Sequence, residues 1–247
     1  MRTIRNYNKL VNEVINLQTP FRVEIIGYAT YGEIYPLLSL RYASKTAKKN
    51  IIIVSGQHGE EYFAVHTLLK WISQIKIEDY PSFNFYIFPI ANPFGYSKGT
   101  RKNGIRQLVN NANKFYKESD VQELAILYEN MPHSPDFYLD IHGDTSKSGP
   151  YCYERRPPEK PSVAEKALLE NDTIFPFEKT TTIYQDKVNN GVIYTGDWDV
   201  GIEGEVANLG AEYTITLELP GKCEGQNRLN GGVAIINSIL NNFRELK

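Results

Sequence analysis

The chain is poor in cysteine, nearly balanced in charge and free of long apolar runs. Its 247 residues hold only Cys152 and Cys223, too few for a disulfide framework and without the spacing of a CxxC metal motif. They read as free thiols of a reducing compartment, which makes the cytoplasm the expected location. A mature secreted form whose signal had been removed would look the same. No stretch approaches the roughly 18 apolar residues of a membrane span. Arg2, Arg5, Lys9 and Glu13 break up the first 18 residues, so they form no uninterrupted secretory core. Lys and Arg number 27 against 29 Asp and Glu, a net charge of −2. That balance predicts no general attraction to nucleic acid. The sequence has no G-x-S-x-G elbow, Walker loop, G-x-G-x-x-G or H-E-x-x-H.

What is present alternates between strand and helix. Ile4, Leu10, Val11, Val14, Ile15 and Leu17 fall near helical spacing within residues 1–20. Residues 21–26 and 37–42 read as an antiparallel pair with one exposed face. Ile51–Val54 is continuously apolar, as expected of a strand buried on both faces. Helical spacing returns over Ala64, Val65, Leu68, Leu69 and Ile72, and strands are predicted at 83–90, 137–141 and 213–217. Val233, Ile236, Ile239, Leu240 and Phe243 mark a buried stripe on a C-terminal helix over 230–244. This pattern predicts an α/β sheet with helices on both faces and the first hairpin at one edge. Residues 145–200 read as loop-rich, with one helix near 162–171. No linker divides the chain, so 1–247 is expected to form a single domain.

Three predicted strands run into ionisable groups. Ile51–Val54 leads to His58, Glu60 and Glu61; residues 137–141 lead to His142 and Asp144; residues 213–217 lead to Glu218. Open α/β sheets bind ligands beyond the carboxyl ends of their strands. Two histidines and a glutamate around zinc, with a fourth position open to water, form a hydrolytic arrangement. His58, Glu61 and His142 could supply that set, with Glu218 outside it to move a proton. Each feature alone has a plain structural explanation: a His-x-x-Glu arises often by chance, and Glu218 could be an ion-pair partner. Their common position at strand ends favours the metal reading. His66 belongs to the helix after the first motif, and His133 to a proline-flanked loop.

In this setting the sequence resembles the zinc metallocarboxypeptidase family, with its carboxypeptidase A-like fold, over about residues 50–220. Ser55-Gly56-Gln57-His58-Gly59-Glu60-Glu61 is similar to the first zinc motif. Asn92-Pro93-Phe94-Gly95 followed by Arg101 resembles the Asn-Pro-x-Gly segment and its arginine. Leu139-Asp140-Ile141-His142 and Thr216-Leu217-Glu218 resemble the strands of the third ligand and the catalytic glutamate. The spacing after Arg101 is closer to compact bacterial members such as murein peptide amidases. The resemblance implies a three-layer α/β sandwich with a mixed, largely parallel central sheet. It implies Zn2+ on His58, Glu61 and His142, with Glu218 as base and Arg101 polarising the carbonyl.

It also implies substrate contacts. Asn111-Ala112-Asn113-Lys114 takes the place of Asp-x-Asn-Arg, so Asn113 and Lys114 are expected at a substrate carboxylate, with lysine offering no planar fork. Asn111 stands where an Asp orients the first histidine. Tyr194, ahead of Thr195-Gly196-Asp197-Trp198, is matched to the mobile tyrosine. Asp199, Glu203 or Glu205 could line a specificity pocket, or form a solvated acidic loop. The leading expectation is a zinc-dependent hydrolase cutting a peptide or small amide next to a carboxylate-bearing residue. An N-acyl amino acid deacylase, resembling aspartoacylase and succinylglutamate desuccinylase, ranks second. The helix at 230–244, soon after Glu218, weighs against the extra domain of such deacylases. A non-catalytic zinc-dependent peptide-binding protein ranks third.

Overall fold

The computed structural model describes residues 5–196 and 201–246. Helix α1 (Tyr7–Ile15) starts at Asn6, whose side chain accepts the Lys9 N–H. The strands β1 (Arg22–Thr30) and β2 (Ile34–Tyr42) form the expected hairpin. Then follow β3 (Lys49–Ser55), α2 (Tyr62–Gln74), β4 (Phe83–Phe88), α3 (Pro93–Lys98), α4 (Gln122–Asn130) and β5 (Phe137–Asp144). The remainder comprises β6 (Tyr151–Arg155), α5 (Val163–Asn171), β7 (Thr182–Ile183), β8 (Asp186–Lys187), β9 (Val192–Tyr194), α6 (Ile202–Asn208), β10 (Tyr213–Pro220) and α7 (Gly225–Glu245).

The eight-stranded sheet has the order β1-β2-β4-β3-β5-β10-β6-β9. Strands β4, β3, β5 and β10 at its centre are mutually parallel, and antiparallel pairs join β2 to β4 and β10 to β6. This is the mixed, largely parallel sheet expected. Alternation along β3 shows why its run is apolar throughout. Ile51 and Ile53 pack with α1, α2, α5 and α7 on one face, while Ile52 and Val54 pack with α4 and α6 on the other. All four are fully buried.

Residues 145–196 hold more structure than their proline content suggests. Strands β6 and β9 extend the main sheet, and β7 and β8 pair as a small hairpin. Strand β6 has only five residues and ends in Glu154-Arg155, so it leaves little trace in the sequence. Helix α4 is similarly quiet, with Leu124 and Leu127 as its buried apolar residues. No described helix is long and apolar enough to cross a membrane.

Backbone contacts fix the loop after β3. The Gly59 N–H donates to the Thr100 carbonyl at 3.1 Å, and the Thr100 N–H to the Gly95 carbonyl at 2.9 Å. A Cβ on Gly59 would fall 1.8 Å from the Gly95 carbonyl carbon. Gly59→Ala is therefore expected to destabilise the fold by about 1–3 kcal/mol or more. A shifted urea midpoint checks this, and an unchanged one would mean the loop relaxes freely.

Candidate metal centre and active site

Two neighbouring segments carry the first motif. Asn92 caps α3, its Oδ1 accepting the Gly95 N–H at 2.8 Å. Its Nδ2 donates to the Gln57 and Arg101 carbonyls, both at 3.2 Å. One asparagine thus ties the His58 loop to the Arg101 segment. The Arg5 guanidinium braces the same loop from outside, donating to the Gly59 and Tyr96 carbonyls at 3.2 Å and lying 4.3 Å from the Tyr62 ring centre.

His58, Glu61 and His142 converge, their possible ligand atoms all lying within 4.8 Å of one another. His58 Nδ1 is 2.9 Å from Glu61 Oε1, and His142 Nδ1 is 3.0 Å from Glu61 Oε2 and 3.1 Å from His58 Nδ1. All three are buried. Two imidazole nitrogens facing each other across a carboxylate form a donor set suited to a small cation. The His142 ring is oriented from behind, its Nε2 lying 3.1 Å from Asp140 Oδ2. Tyr138 and Gln57 also donate to that oxygen. A histidine backed by a carboxylate is a familiar support for a metal ligand. Together these residues fit a metal ion; among the described residues Asn111 makes no hydrogen bond to His58. Its side chain instead accepts the Asn113 N–H at 3.1 Å.

The charges reinforce this arrangement. Burial alone would lower the His142 pKa, but Asp140 and Glu61 hold it well above its ordinary value. Glu61 is desolvated, yet the two histidines keep it far below the usual carboxylate range. Burial keeps His58 below its ordinary value, against the pull of Glu61. Its Nε2 is buried with no hydrogen-bond partner among the described residues.

Glu218 stands beside His142 in the β10–β5 register. Burial raises it from 4.5 to about 8, with Glu61, Asp144 and Asp140 adding repulsion and His142 opposing. Arg101 is half exposed, its Nη1 3.3 Å from Glu61 Oε1 and 3.5 Å from Glu60 Oε1. Both residues line a cavity of about 320 Å³ and a second of about 270 Å³. Arg101 also borders a third, of about 690 Å³, with Lys98, Lys102 and Arg106.

Three expected substrate contacts lie elsewhere. Asn113 is exposed and Lys114 pairs with Asp120 at 2.9 Å, and neither lines these cavities; Asn110 lines the second one instead. Tyr194 turns away, its hydroxyl donating to Glu165 at 2.9 Å and its ring lying 4.8 Å from the Arg156 guanidinium. Asp197, Trp198 and Asp199 lie outside the described residues. Glu205 lines none of the three cavities, whereas Glu203 lines the second.

Tyr184 lines the first cavity together with Tyr151 and Tyr153, its hydroxyl donating to Asp144 Oδ2 at 2.8 Å. It occupies the two-residue turn between β7 and β8, where Tyr184 has φ 50 and Gln185 φ 78. Such turns favour Asn-Gly, so nothing in Tyr184-Gln185 announced the hairpin. Two non-glycine residues in the left-handed region are a strained choice, of a kind that collects at functional sites.

Because the folded pKa of Glu218 is raised, ionising it costs stability. The cost is absent below the ordinary value of 4.5 and grows as pH rises towards about 8. In chelator-treated protein, Glu218→Gln is expected to raise Tm over the wild type at pH 8 and to lose that advantage near pH 5. A pH-independent difference would place the effect in packing instead.

Comparison with known proteins agrees with this geometry. The family model described as the succinylglutamate desuccinylase/aspartoacylase catalytic domain matches residues 47–171, a segment holding His58, Glu61, Arg101 and His142. That family is the one ranked second on sequence alone. No curated protein matches. A candidate metallopeptidase from Shewanella amazonensis SB2B is 26% identical, with TM-score 0.75 over 95% of this chain and 91% of its own. Another from Shewanella baltica OS155 shares 20% identity, with TM-score 0.77 over 98% and 97%. A Pseudomonas aeruginosa metallo-carboxypeptidase in complex with (2-guanidinoethylmercapto)succinic acid is 18% identical, with TM-score 0.67 over 98% and 69%. The chain belongs to the succinylglutamate desuccinylase/aspartoacylase family of catalytic domains, on the fold it shares with metallocarboxypeptidases.

Proposed function

We propose that the protein is a zinc-dependent hydrolase of amide bonds that lie next to a carboxylate-bearing group. The convergence of His58, Glu61 and His142 beside a half-buried Glu218 carries this reading. Zinc held by those three residues would lower the pKa of a bound water and polarise the carbonyl. Glu218 takes a proton from the attacking water and returns it to the leaving amine. Its raised pKa suits a group that must both accept and give a proton near neutrality. Arg101 donates to the oxygen on which charge develops. Asp140 keeps the His142 ring in one orientation. Tyr184, hydrogen-bonded to Asp144, offers a hydroxyl to the substrate at the rim.

The substrate carboxylate is met by Arg101, with Lys102 and Arg106 in the adjoining cavity. Asn113 and Lys114 have no part in this reading. Family membership favours small acylated amino acids, and the carboxypeptidase fold favours a short peptide. Both place a carboxylate near the amide. The pair of unpaired cysteines suits a cytoplasmic enzyme.

Mass spectrometry of a pool of peptides, murein fragments and N-acyl amino acids tests the reading directly. Zinc-loaded wild type is expected to release a product that Glu218→Gln does not, with turnover reduced at least about 100-fold in the variant. Equal product from both would remove Glu218 from the mechanism. His142→Ala is expected to lower metal content measured by plasma mass spectrometry; unchanged stoichiometry would exclude His142 as a ligand. Arg101→Ala is expected to lower kcat by roughly 100-fold, and a change confined to KM would make Arg101 an anchor only.

A further inference from the structure

Resting on that proposed function, we infer that Glu123 is a positioning residue for Arg101. Through Asn103 it fixes the loop that presents the arginine to the oxygen on which charge develops. Glu123 itself lies on α4 and lines none of the three cavities.

Arg101 sits in a stretch without regular structure. Residues 99–111 form neither helix nor strand, so no backbone ladder fixes them. The Asn92 amide holds one end, at the Arg101 carbonyl. Asn103 holds the other. Its Oδ1 accepts the Ile105 and Gln107 N–H groups at 3.2 and 2.9 Å, and its own N–H donates to the Gln107 carbonyl at 2.9 Å. Inside this clasp Arg106 takes a left-handed backbone with φ 63, its N–H donating to the Asn103 carbonyl at 3.0 Å. A non-glycine residue keeps such a conformation where its surroundings over-determine it.

Glu123 anchors Asn103. Asn103 Nδ2 donates to Glu123 Oε2 at 3.0 Å and to the Tyr31 hydroxyl at 2.9 Å, and that hydroxyl donates to the same Oε2 at 2.6 Å. Asn103 is 2% exposed and Glu123 fully buried. Burial and Glu123 hold the Tyr31 phenol well above its usual range, so it remains a donor. The Tyr31 ring closes the triangle: a Cβ on Gly104 would fall 2.2 Å from its Cγ, and Phe94 of α3 meets it edge-on at 5.5 Å. The β1–β2 turn, α3 and α4 therefore all meet at this loop.

A carboxylate is a costly choice for such a place. Glu123 has no ion pair among the described residues, and its Oε1 is buried without a hydrogen-bond partner there. An apolar side chain of similar volume would pack without that penalty. It would not aim Asn103. Aim matters at a reacting centre, where a misplacement of about 1 Å can cost about 100-fold in rate.

The test is a double-mutant cycle on the zinc-loaded full chain, using whichever member of the peptide, murein and N-acyl amino acid pool the wild type cuts. Glu123→Met is expected to lower kcat at least about tenfold with KM nearly unchanged. In an Arg101→Ala background it is expected to lower kcat no further, within about twofold, because its effect runs through the arginine. Glu123→Gln, whose carbonyl can accept both bonds, is expected to keep most of the wild-type kcat. Tyr31→Phe removes one hydroxyl and keeps the ring, so it serves if Glu123→Met fails to fold, with a smaller loss and the same non-additivity. Equal losses in both backgrounds, full kcat in both Glu123→Met and Tyr31→Phe, or a loss in Glu123→Gln as large as in Glu123→Met would overturn the inference. Hydrogen exchange adds an arm that needs no turnover. The Ile105 and Gln107 amides are expected to exchange at least about tenfold faster in Glu123→Met, and unchanged exchange would also overturn the inference. Additive losses in an active enzyme sink the positioning role and spare the hydrolase. A wild type that cuts nothing sinks the hydrolase, and exchange alone then decides whether Glu123 holds the loop.

Discussion

Parallel pairing of β5 with β3 on one side and β10 on the other is the constraint on which the site depends. Parallel strands end together, so their carboxyl ends present side chains along one rim. His142 lies near the carboxyl end of β5, Glu218 is its register partner on β10, and the His58 loop leaves β3 next door. Burial of β3 on both faces, through Ile51 to Val54, makes this centre of the sheet stiff. A hydrolytic site needs such stiffness, since its donors must be held close to productive geometry.

On that rim the chain gathers more negative charge than it neutralises. Glu61, Asp140, Glu203 and Glu218 are crowded around two histidines and one arginine. Proton affinities are displaced accordingly: Asp140 and Glu61 hold His142 up against its burial, while burial first, and the neighbouring carboxylates after it, raise Glu203 to about 7 and Glu218 to about 8. Carboxylates that share a site resist ionising together. A divalent cation among them would relieve that repulsion, so stability and metal affinity are linked here. His58 Nε2 and Asp140 Oδ1, buried with no hydrogen-bond partner among the described residues, belong to the same picture.

Much of this was legible in the sequence. Apolar runs mark β3, β5 and β10, whose burial is nearly continuous, and the alternation of buried and half-buried residues marks β4. The motif residues His58, Glu61, Arg101, His142 and Glu218 announced themselves by following those strands in order. Family membership also had its signal, though the deacylase relatives were ranked below the carboxypeptidases on the distance between Glu218 and the last helix. Residues 145–200 were harder. Short strands β6 and β9 gain their stability by pairing onto an existing sheet, and a three- or five-residue strand carries little periodicity of its own.

Sequence alone therefore determined the chemistry available: which strands are buried, which ionisable groups follow them, and that two histidines and a glutamate could share a cation. Tertiary structure decided which of the remaining polar residues take part. Lys114 is drawn to Asp120 and Tyr194 to Glu165, while Tyr184 and Glu203 reach the cavities. The physical reason is range. Burial patterns and local motifs are written within a few neighbouring residues, but a side chain's partner is chosen by contacts between elements distant in sequence. Only the folded chain brings those together.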